Sequence, residues 1–231
     1  MDYHIHSDFS DGDSSFQEII KECAGCGCKD ISFADHCGED GRFMFSLGYR
    51  RNRNLEGYVT EITSLKVPSL EDLGVRIHAG LEISTWTDEY EEQFSEHVVP
   101  FIDDLDILLV DGWYIDDPVK CALQTLKIVK KACKNDFPVF IAHPDFDEIT
   151  SQDVVNLMKH GIGLELNEAK FFLKEKLAWE KLMEELGKRN KKIPRIILGS
   201  DAHALHDSGR VGKVQDFATS MDLLDFLHML P

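Results

Sequence analysis

The sequence predicts an α/β chain wound into a closed or nearly closed β/α barrel, and three observations carry that expectation. Apolar segments of strand length recur seven times: Asp2–His6, Asp30–His36, Val75–Ile83, Asp106–Asp111, Pro138–His143, Ile162–Asn167 and Arg195–Asp201. Helix-patterned segments alternate with them, the signature of β/α units and a parallel sheet. Five of the seven strands end in a side chain that could ligate a metal, and β/α barrels gather their chemistry at the C-terminal strand ends.

Each element has its own local reason. Ser15-x-x-Glu18 is a capping-box pattern, followed by Phe16, Ile19, Ile20 and Cys23 at helical spacing, with Gly25 and Gly27 to end the helix. Further helices are expected at Leu55–Lys66, Glu89–Ile102, Pro118–Lys134, Ser151–His160, Glu168–Arg189 and Met221–Leu230. Pro118 suits a first helical turn, and Leu123, Leu126, Ile128 and Val129 supply an apolar stripe behind it. Phe140-Ile141-Ala142 and Ile196-Ile197-Leu198 are continuous apolar runs, as parallel strands buried on both faces require. The longest irregular stretch, Cys37–Asn54, holds Arg42, Arg50, Arg51 and Arg53. A loop of that length is often functional, and this one is expected to cover a metal site and hold an anion. Neither linker nor repeat divides the 231 residues, so residues 1–231 are expected to form a single domain.

Composition narrows the partners. An apolar share of 43% supports a sizeable core, yet no apolar run approaches the ~18 residues of a membrane span. The first residues lack a basic-then-apolar signal pattern, so a cytoplasmic protein is expected. A formal charge of −17 repels polyanions and disfavours stable binding of long nucleic acid. A small anionic substrate stays open, because bound divalent ions dominate the local field of a site. Oligomeric state is not legible. Cys23-x-x-Cys26-x-Cys28 lacks a fourth ligand at zinc-site spacing, so packed reduced thiols are expected there. Cys37 follows His36 on a strand and should face the other way.

The motifs at the strand ends carry the chemistry. They are His4-Ile5-His6 with Ser10-Asp11-Gly12, then Asp35-His36, Gly80-Leu81-Glu82, Ala142-His143-Pro144-Asp145 and Gly199-Ser200-Asp201-Ala202-His203. Side chains at i and i+2 of a strand share a face, so each histidine pair aims two ligands at one point. Singly, each motif is weak; a pair of histidines is more often structural than ligating. Their succession at consecutive strand ends is what signifies.

That series resembles the PHP (polymerase and histidinol phosphatase) family over nearly the whole chain. The resemblance implies a distorted seven-stranded (β/α)7, TIM-like barrel and two or three divalent ions, commonly zinc, manganese or iron. It implies hydrolysis of a phosphate ester by a metal-activated hydroxide. It also implies ligands: His4, His6, Glu82 and Asp201 for one ion, Glu82 bridging to a second shared with His143, and Asp11, His36 and His203 for a third. Mixed imidazole and carboxylate donors do not choose among those metals. One family position departs. A serine followed two residues later by a ligating histidine is replaced by Leu109-Val110-Asp111-Gly112-Trp113-Tyr114, which leaves the second ion short of a ligand unless Asp111 substitutes.

Other residues are expected nearby. Asn167 ends the sixth strand and resembles a family asparagine, though a loop-forming role is as good a reading. His206 is a candidate proton donor, with Arg210 or Arg51 as phosphate clamps. His78 should fill the barrel interior, His160 and His228 should lie at helix ends or the surface, and Trp86, Trp113 and Trp179 should pack. The expected substrate is a small phosphate monoester, histidinol phosphate being the best single choice. Alternatives are a 3′-5′ exonuclease or nucleotide phosphoesterase, and a degenerate barrel without catalysis.

Overall fold

A computed structural model describes residues 1–44, 54–65, 73–133, 136–188 and 192–230. Seven parallel strands pair in sequential order: β1 (Asp2–Ile5), β2 (Asp30–Cys37), β3 (Arg76–Ile83), β4 (Ile107–Asp111), β5 (Val139–Ala142), β6 (Gly163–Asn167) and β7 (Ile196–Gly199). Helices α1 (Phe16–Cys26), α2 (Leu55–Leu65), α3 (Tyr90–His97), α4 (Pro118–Ala132), α5 (Ser151–His160), α6 (Leu173–Lys188) and α7 (Gly212–Ser220) alternate with them. The ring closes where Ile5 bridges Ala202 in parallel, with Asp201 N donating to His4 O at 2.8 Å and His6 N to Ala202 O at 3.0 Å. This is the nearly closed barrel that the alternation predicts.

Strand alternation divides the core. Leu108, Val110, Ile141, Leu164 and Leu166 face outward into the layer beneath the helices, whereas Ile107, Leu109, Phe140, Ala142 and Ile197 fill the interior. Both layers are buried, which is why these strands read as unbroken apolar runs. One irregularity bears on the site. Asp2 pairs with Ile31 but Ile5 with Phe33, so β1 carries one extra residue between them. Such a bulge re-aims side chains: Tyr3 belongs to the inner core, and His4 and His6 both reach the mouth of the barrel.

Local signals hold at most helix ends. Glu18 reaches back to accept from Ser15 N at 2.9 Å, Asp117 caps α4 by accepting from Lys120 N, and Gly27 and Gly161 end α1 and α5 in the left-handed conformation. Three expectations need correction. Pro100 breaks the helix expected at Glu89–Ile102 into α3 and a 3₁₀ turn, Val99–Asp104. α6 starts at Leu173, after a turn in which Asn167 Oδ1 accepts from Lys170 N. The last helix is not Met221–Leu230 but α7, which ends at Ser220. The tail instead runs beneath the barrel. His228 N donates to Ile196 O at 2.7 Å, Leu230 N donates to Tyr3 Oη, and Leu230 plugs the interior from below. Burying Leu230 there competes with a helix that would carry it away. His228 is accordingly half-buried against Phe140, not a surface residue.

All six cysteines are free; Cys23, Cys28, Cys37 and Cys121 are buried, while Cys26 is exposed. No helix among the described residues is long and apolar enough to cross a membrane.

Candidate metal centre

Six strands deliver acidic or imidazole side chains to one cavity at the C-terminal end of the barrel. The Glu82 carboxylate stands at its middle, fully buried: His36 Nδ1 and His143 Nε2 each lie 2.9 Å from its oxygens, His4 Nε2 at 3.2 Å and His6 Nε2 at 3.6 Å. Asp201 Oδ1 lies 3.2 Å from His6 Nε2. Nearer the rim, Asp11 Oδ2 lies 3.3 Å from His203 Nε2 and 3.9 Å from His36 Nε2. The eight residues singled out in the motifs therefore converge. With Asp111 as a ninth, their potential ligand atoms form groups lying within 4.8 Å: His6, Asp11, His36 and His203; His4, His6 and Asp201; His4, Glu82 and His143; and His36, Glu82 and Asp111.

Backbone geometry explains the convergence. Plain alternation after the inward Ala142 would point His143 outward, but its φ of 27° turns the ring inside. Asp201 follows β7 with φ 55°. Left-handed conformations at two non-glycine residues cost of order 1–3 kcal/mol each, and such strain clusters at functional sites. Gly12 is needed for close approach, because a Cβ there would stand 2.5 Å from His6 O. Gly199 leaves room for Glu165, whose carboxylate a Cβ would overlap.

Supporting residues hold the cluster in place. Glu165 Oε1 lies 2.9 Å from His4 Nδ1, and its Oε2 accepts from His143 N at 2.7 Å. Ser84 Oγ lies 2.7 Å from His36 Nδ1. Asp35, on the outward face of β2, accepts from Ser7 N, Ser7 Oγ, Ser10 N and Ser10 Oγ, and so shapes the loop that presents Asp11. Sequence reasoning did not single out Glu165, although its place two residues before Asn167 on the same strand face was the available signal. Carboxylates behind ligating histidines fix the ring tautomer and raise its basicity.

Protonation follows the packing. Burial alone would suppress the charge on His4, but Glu165 and Glu82 outweigh it and hold its pKa well above the usual value. His143 is likewise disfavoured by burial yet raised to about 9 by Glu82. His6 is lowered to about 3 by burial and by neighbouring His36. Glu82 would be raised by burial, but the surrounding histidines hold it well below the carboxylate range. Protons on these rings thus balance the acids, and a divalent ion competing for the same lone pairs would displace them.

The donor set fits metal ions on a second ground. Asp11 Oδ1, Glu82 Oε2, Asp111 Oδ2 and His143 Nδ1 are buried without a hydrogen-bond partner. Each such atom costs about 1–3 kcal/mol, and four in one cavity mark a place built for a ligand. Asp111 is anchored through Oδ1, which accepts from Trp113 N and Tyr114 N, so that Oδ2 stays available beside His36 and Glu82.

Among the other expected residues, Asn167 is buried and lines a cleft that opens beside His143 and Glu165. Its Nδ2 has no partner. His206 and Arg210 are not drawn into the cluster. His206 is 80% exposed beside Asp207, and Arg210 pairs with Glu22 of α1 at 3.0 Å. Arg51 lies outside the described residues, as do Arg50 and Arg53, while Arg42 is exposed and pairs with Asp40. His78 is buried inside the barrel against Asp30, as expected. Trp179 packs, but Trp113 does not: it stands 57% exposed at the cleft, with Lys170 Nζ 4.3 Å from its ring centroid. Lys170, a cation that sequence reasoning passed over, also approaches Asp201 Oδ2 at 3.8 Å.

Comparisons agree with this architecture. A family model described as the PHP domain matches residues 2–139. Among solved structures, the chain is similar to histidinol phosphate phosphatase from Lactococcus lactis subsp. lactis Il1403, complexed with zinc, L-histidinol and phosphate. The TM-score is 0.64 and the identity 20%, over 99% of this chain and 94% of that one. The hisK protein of Listeria monocytogenes aligns with TM-score 0.58 and 15% identity, over 90% and 97% of the two chains. A chain in a cryo-EM structure of archaeal ribonuclease P with mature tRNA gives 0.55 and 12%, over 97% and 91%. At these identities the likeness is one of fold. No curated protein sequence matches the chain.

Proposed function

Because the chain belongs to the PHP domain family, a family of metal-dependent phosphoesterases, we propose that it hydrolyses a small phosphate monoester, with histidinol phosphate as its best single substrate. One observation carries this reading: a fully buried carboxylate, Glu82, within 3.6 Å of four histidine nitrogens and ringed by partnerless buried oxygens. His4, His6, Glu82 and Asp201 would hold one ion, His143 with Glu82 and Asp111 a second, and Asp11, His36 and His203 a third. Divalent ions supply Lewis acidity, which brings the pKa of water toward about 7 and offsets phosphoryl charge.

The protein's own groups would then bind and orient. Lys170 puts an ammonium beside Asp201, where a phosphoryl oxygen would meet it, and Asn167 Nδ2 offers a free donor from the cleft wall. Glu165 keeps Nδ1 of His4 engaged so that Nε2 faces the cavity. Shared fold with the Lactococcus lactis phosphatase supports histidinol phosphate as the first ester to try. Six free thiols support a reducing, cytoplasmic setting.

The test is metal analysis of purified protein together with phosphate release from histidinol phosphate, with His4→Ala as control. Two or more ions per chain, and release lost in the variant, is the expected result. Bound metal without release moves the substrate to another phosphoester. Absence of metal even after reconstitution overturns the reading in favour of a barrel without catalysis.

A further inference from the structure

Three cysteines outside the ligand cluster gather at the end of α1. Cys23 and Cys26 stand on its last turn and Cys28 just beyond, where Gly27 turns the chain and Cys28 N donates to Cys23 O at 2.9 Å. The loop that follows His203 packs on them through Gly209, whose φ is 77°. A Cβ at that position would stand 2.9 Å from Cys26 Sγ, 3.2 Å from Cys23 Sγ and 3.0 Å from Cys28 Cβ. The sulfurs of Cys23 and Cys26 are therefore neighbours, and the loop rests directly on both. Exposure separates the three: Cys23 and Cys28 are buried, whereas Cys26 is open to solvent, its thiol donating weakly to Cys23 O and Gly209 O. Burial, with the Asp2 carboxylate adding to it, pushes the Cys23 and Cys28 thiols up, so neither ionises readily by itself. Gly209 is also tied to the metal centre. Its N donates to Oδ2 of Asp2 at 2.9 Å, and Oδ1 of that fully buried carboxylate accepts from Ser200 N at 2.8 Å and His4 N at 3.4 Å. One side chain thus joins the loop over the thiols to His4 and to the residue before Asp201.

We propose that Cys26 and Cys23 form a reversible thiol–disulfide modification site whose co-reactant is a small disulfide such as glutathione disulfide, and that closing it loosens the seam of the metal centre. The Cys26 thiolate attacks one sulfur of the small disulfide. That S–S bond breaks, and one thiol leaves with the proton that Cys26 gave up. Cys23 then attacks the Cys26 sulfur in the mixed disulfide and expels the second thiol, which takes the Cys23 proton. Two protein thiols are oxidised to one disulfide, and the small disulfide is reduced to two thiols. Cβ atoms three residues apart on a helix stand about 5–6 Å from each other, beyond the roughly 3.5–4.5 Å that a disulfide spans. The new bond therefore draws Cys26 out of the last helical turn, and Gly209, seated on its sulfur, moves with it. Asp2 Oδ2 then loses its donor inside the fold, and the disturbance passes through Oδ1 to Ser200 and His4.

The experiment treats the whole chain with glutathione disulfide at mildly alkaline pH, blocks the remaining thiols and digests it with trypsin. Cleavage after Lys21 and Lys29 releases all three thiols on one peptide, Glu22–Lys29. That peptide should be lighter by two hydrogens in the wild type and in Cys28→Ser, and dithiothreitol should reverse the change. Cys23→Ser should stop at the mixed disulfide on Cys26. Cys26→Ser, a mild change at an exposed position, should carry neither the bond nor glutathione. A disulfide that requires Cys28, or a peptide that stays reduced in the wild type, overturns the site. Manganese reports the metal centre, because thiols hold that ion poorly. Its affinity, read from the electron paramagnetic resonance of the free ion, should fall about fivefold or more on oxidation and stay unchanged in oxidant-treated Cys26→Ser. Coupling is reciprocal, so bound manganese should lower the equilibrium yield of disulfide by the same factor. A disulfide that leaves the affinity unchanged overturns the link to the metal centre. Absence of manganese binding in every form overturns the link together with the metal centre, while the peptide mass still decides the modification.

Discussion

At the floor of the barrel His78 Nε2 lies 2.7 Å from Asp30 Oδ1, and at its mouth His143 Nε2 lies 2.9 Å from Glu82 Oε1. Both pairs are buried, and both join neighbouring or nearby strands across the interior. They differ in what surrounds them. At the floor the other nitrogen of His78 faces Asp106 at 3.8 Å, Asp30 also faces Arg76 at 3.8 Å, and Tyr3 sits edge-on to the imidazole. Among the described residues, neither His78 nor Asp30 has a buried side-chain atom without a hydrogen-bond partner. At the mouth one oxygen of Glu82, one of Asp111, one of Asp11 and Nδ1 of His143 have none. The same residue types thus serve two purposes, and incomplete hydrogen bonding tells the functional cluster from the structural one.

The sharpest way to break this comparison is to cut each pair. Glu82→Ala should empty the centre of the cluster, lowering kcat/KM by on the order of a thousandfold or more and reducing bound metal. His78→Ala should leave Asp30 with only the largely exposed Arg76 as counter-charge, costing about 1–3 kcal/mol of stability. Below its lowered melting temperature that variant should keep its metal content and kcat. Denaturant melts and metal analysis on the two proteins decide the matter, and loss of metal in His78→Ala would erase the distinction. A smaller effect is expected one step behind the ligands: Glu165→Gln should weaken metal binding by about 10–100-fold, measured by competition with a chromogenic chelator.

Proton linkage sharpens the contrast further. Metal-free His143, with its pKa raised to about 9, carries its proton at neutral pH. A metal must expel that proton, so affinity should climb as pH rises from about 7 toward 9 and fall again on acidification. Calorimetry in buffers of different ionisation enthalpy counts the protons released; a count of zero at pH 7 would contradict this account. The smallest effect belongs to the surface. Arg210→Ala breaks an exposed pair with Glu22 and should change kcat/KM by less than about twofold.

The barrel was legible because its strands are buried on both faces and alternate with caps and turns that have simple local causes. All eight clustered residues were visible as motifs, although a loop presents Asp11 and left-handed backbone, which alternation does not foretell, aims His143 and Asp201. What escaped the sequence depends on contacts between distant segments. The tail beyond Ser220 has helical spacing, yet Leu230 gains more by plugging the barrel against Tyr3. His206 and Arg210 follow a ligand motif closely, but a 3₁₀ turn at Leu205–Asp207 carries them to the surface. Trp113 reads as a packing residue and is left exposed, because Gly112 and the Asp111 turn end the strand beneath it. Lys170 sits in the turn before α6, and no local pattern announces its path into the cleft.

The single bridge between Ile5 and Ala202 has a consequence in time. His4 and His6 stand on one side of that seam, and Asp201 and His203 on the other, about 200 residues further along the chain. During synthesis at roughly 5–20 residues per second, the first two histidines leave the ribosome on the order of 10–40 s before their partners exist. Until then those imidazoles have no completed pocket to shield them. A divalent ion met in that interval would find only part of the cluster, because Asp201 and His203 arrive with the last strand.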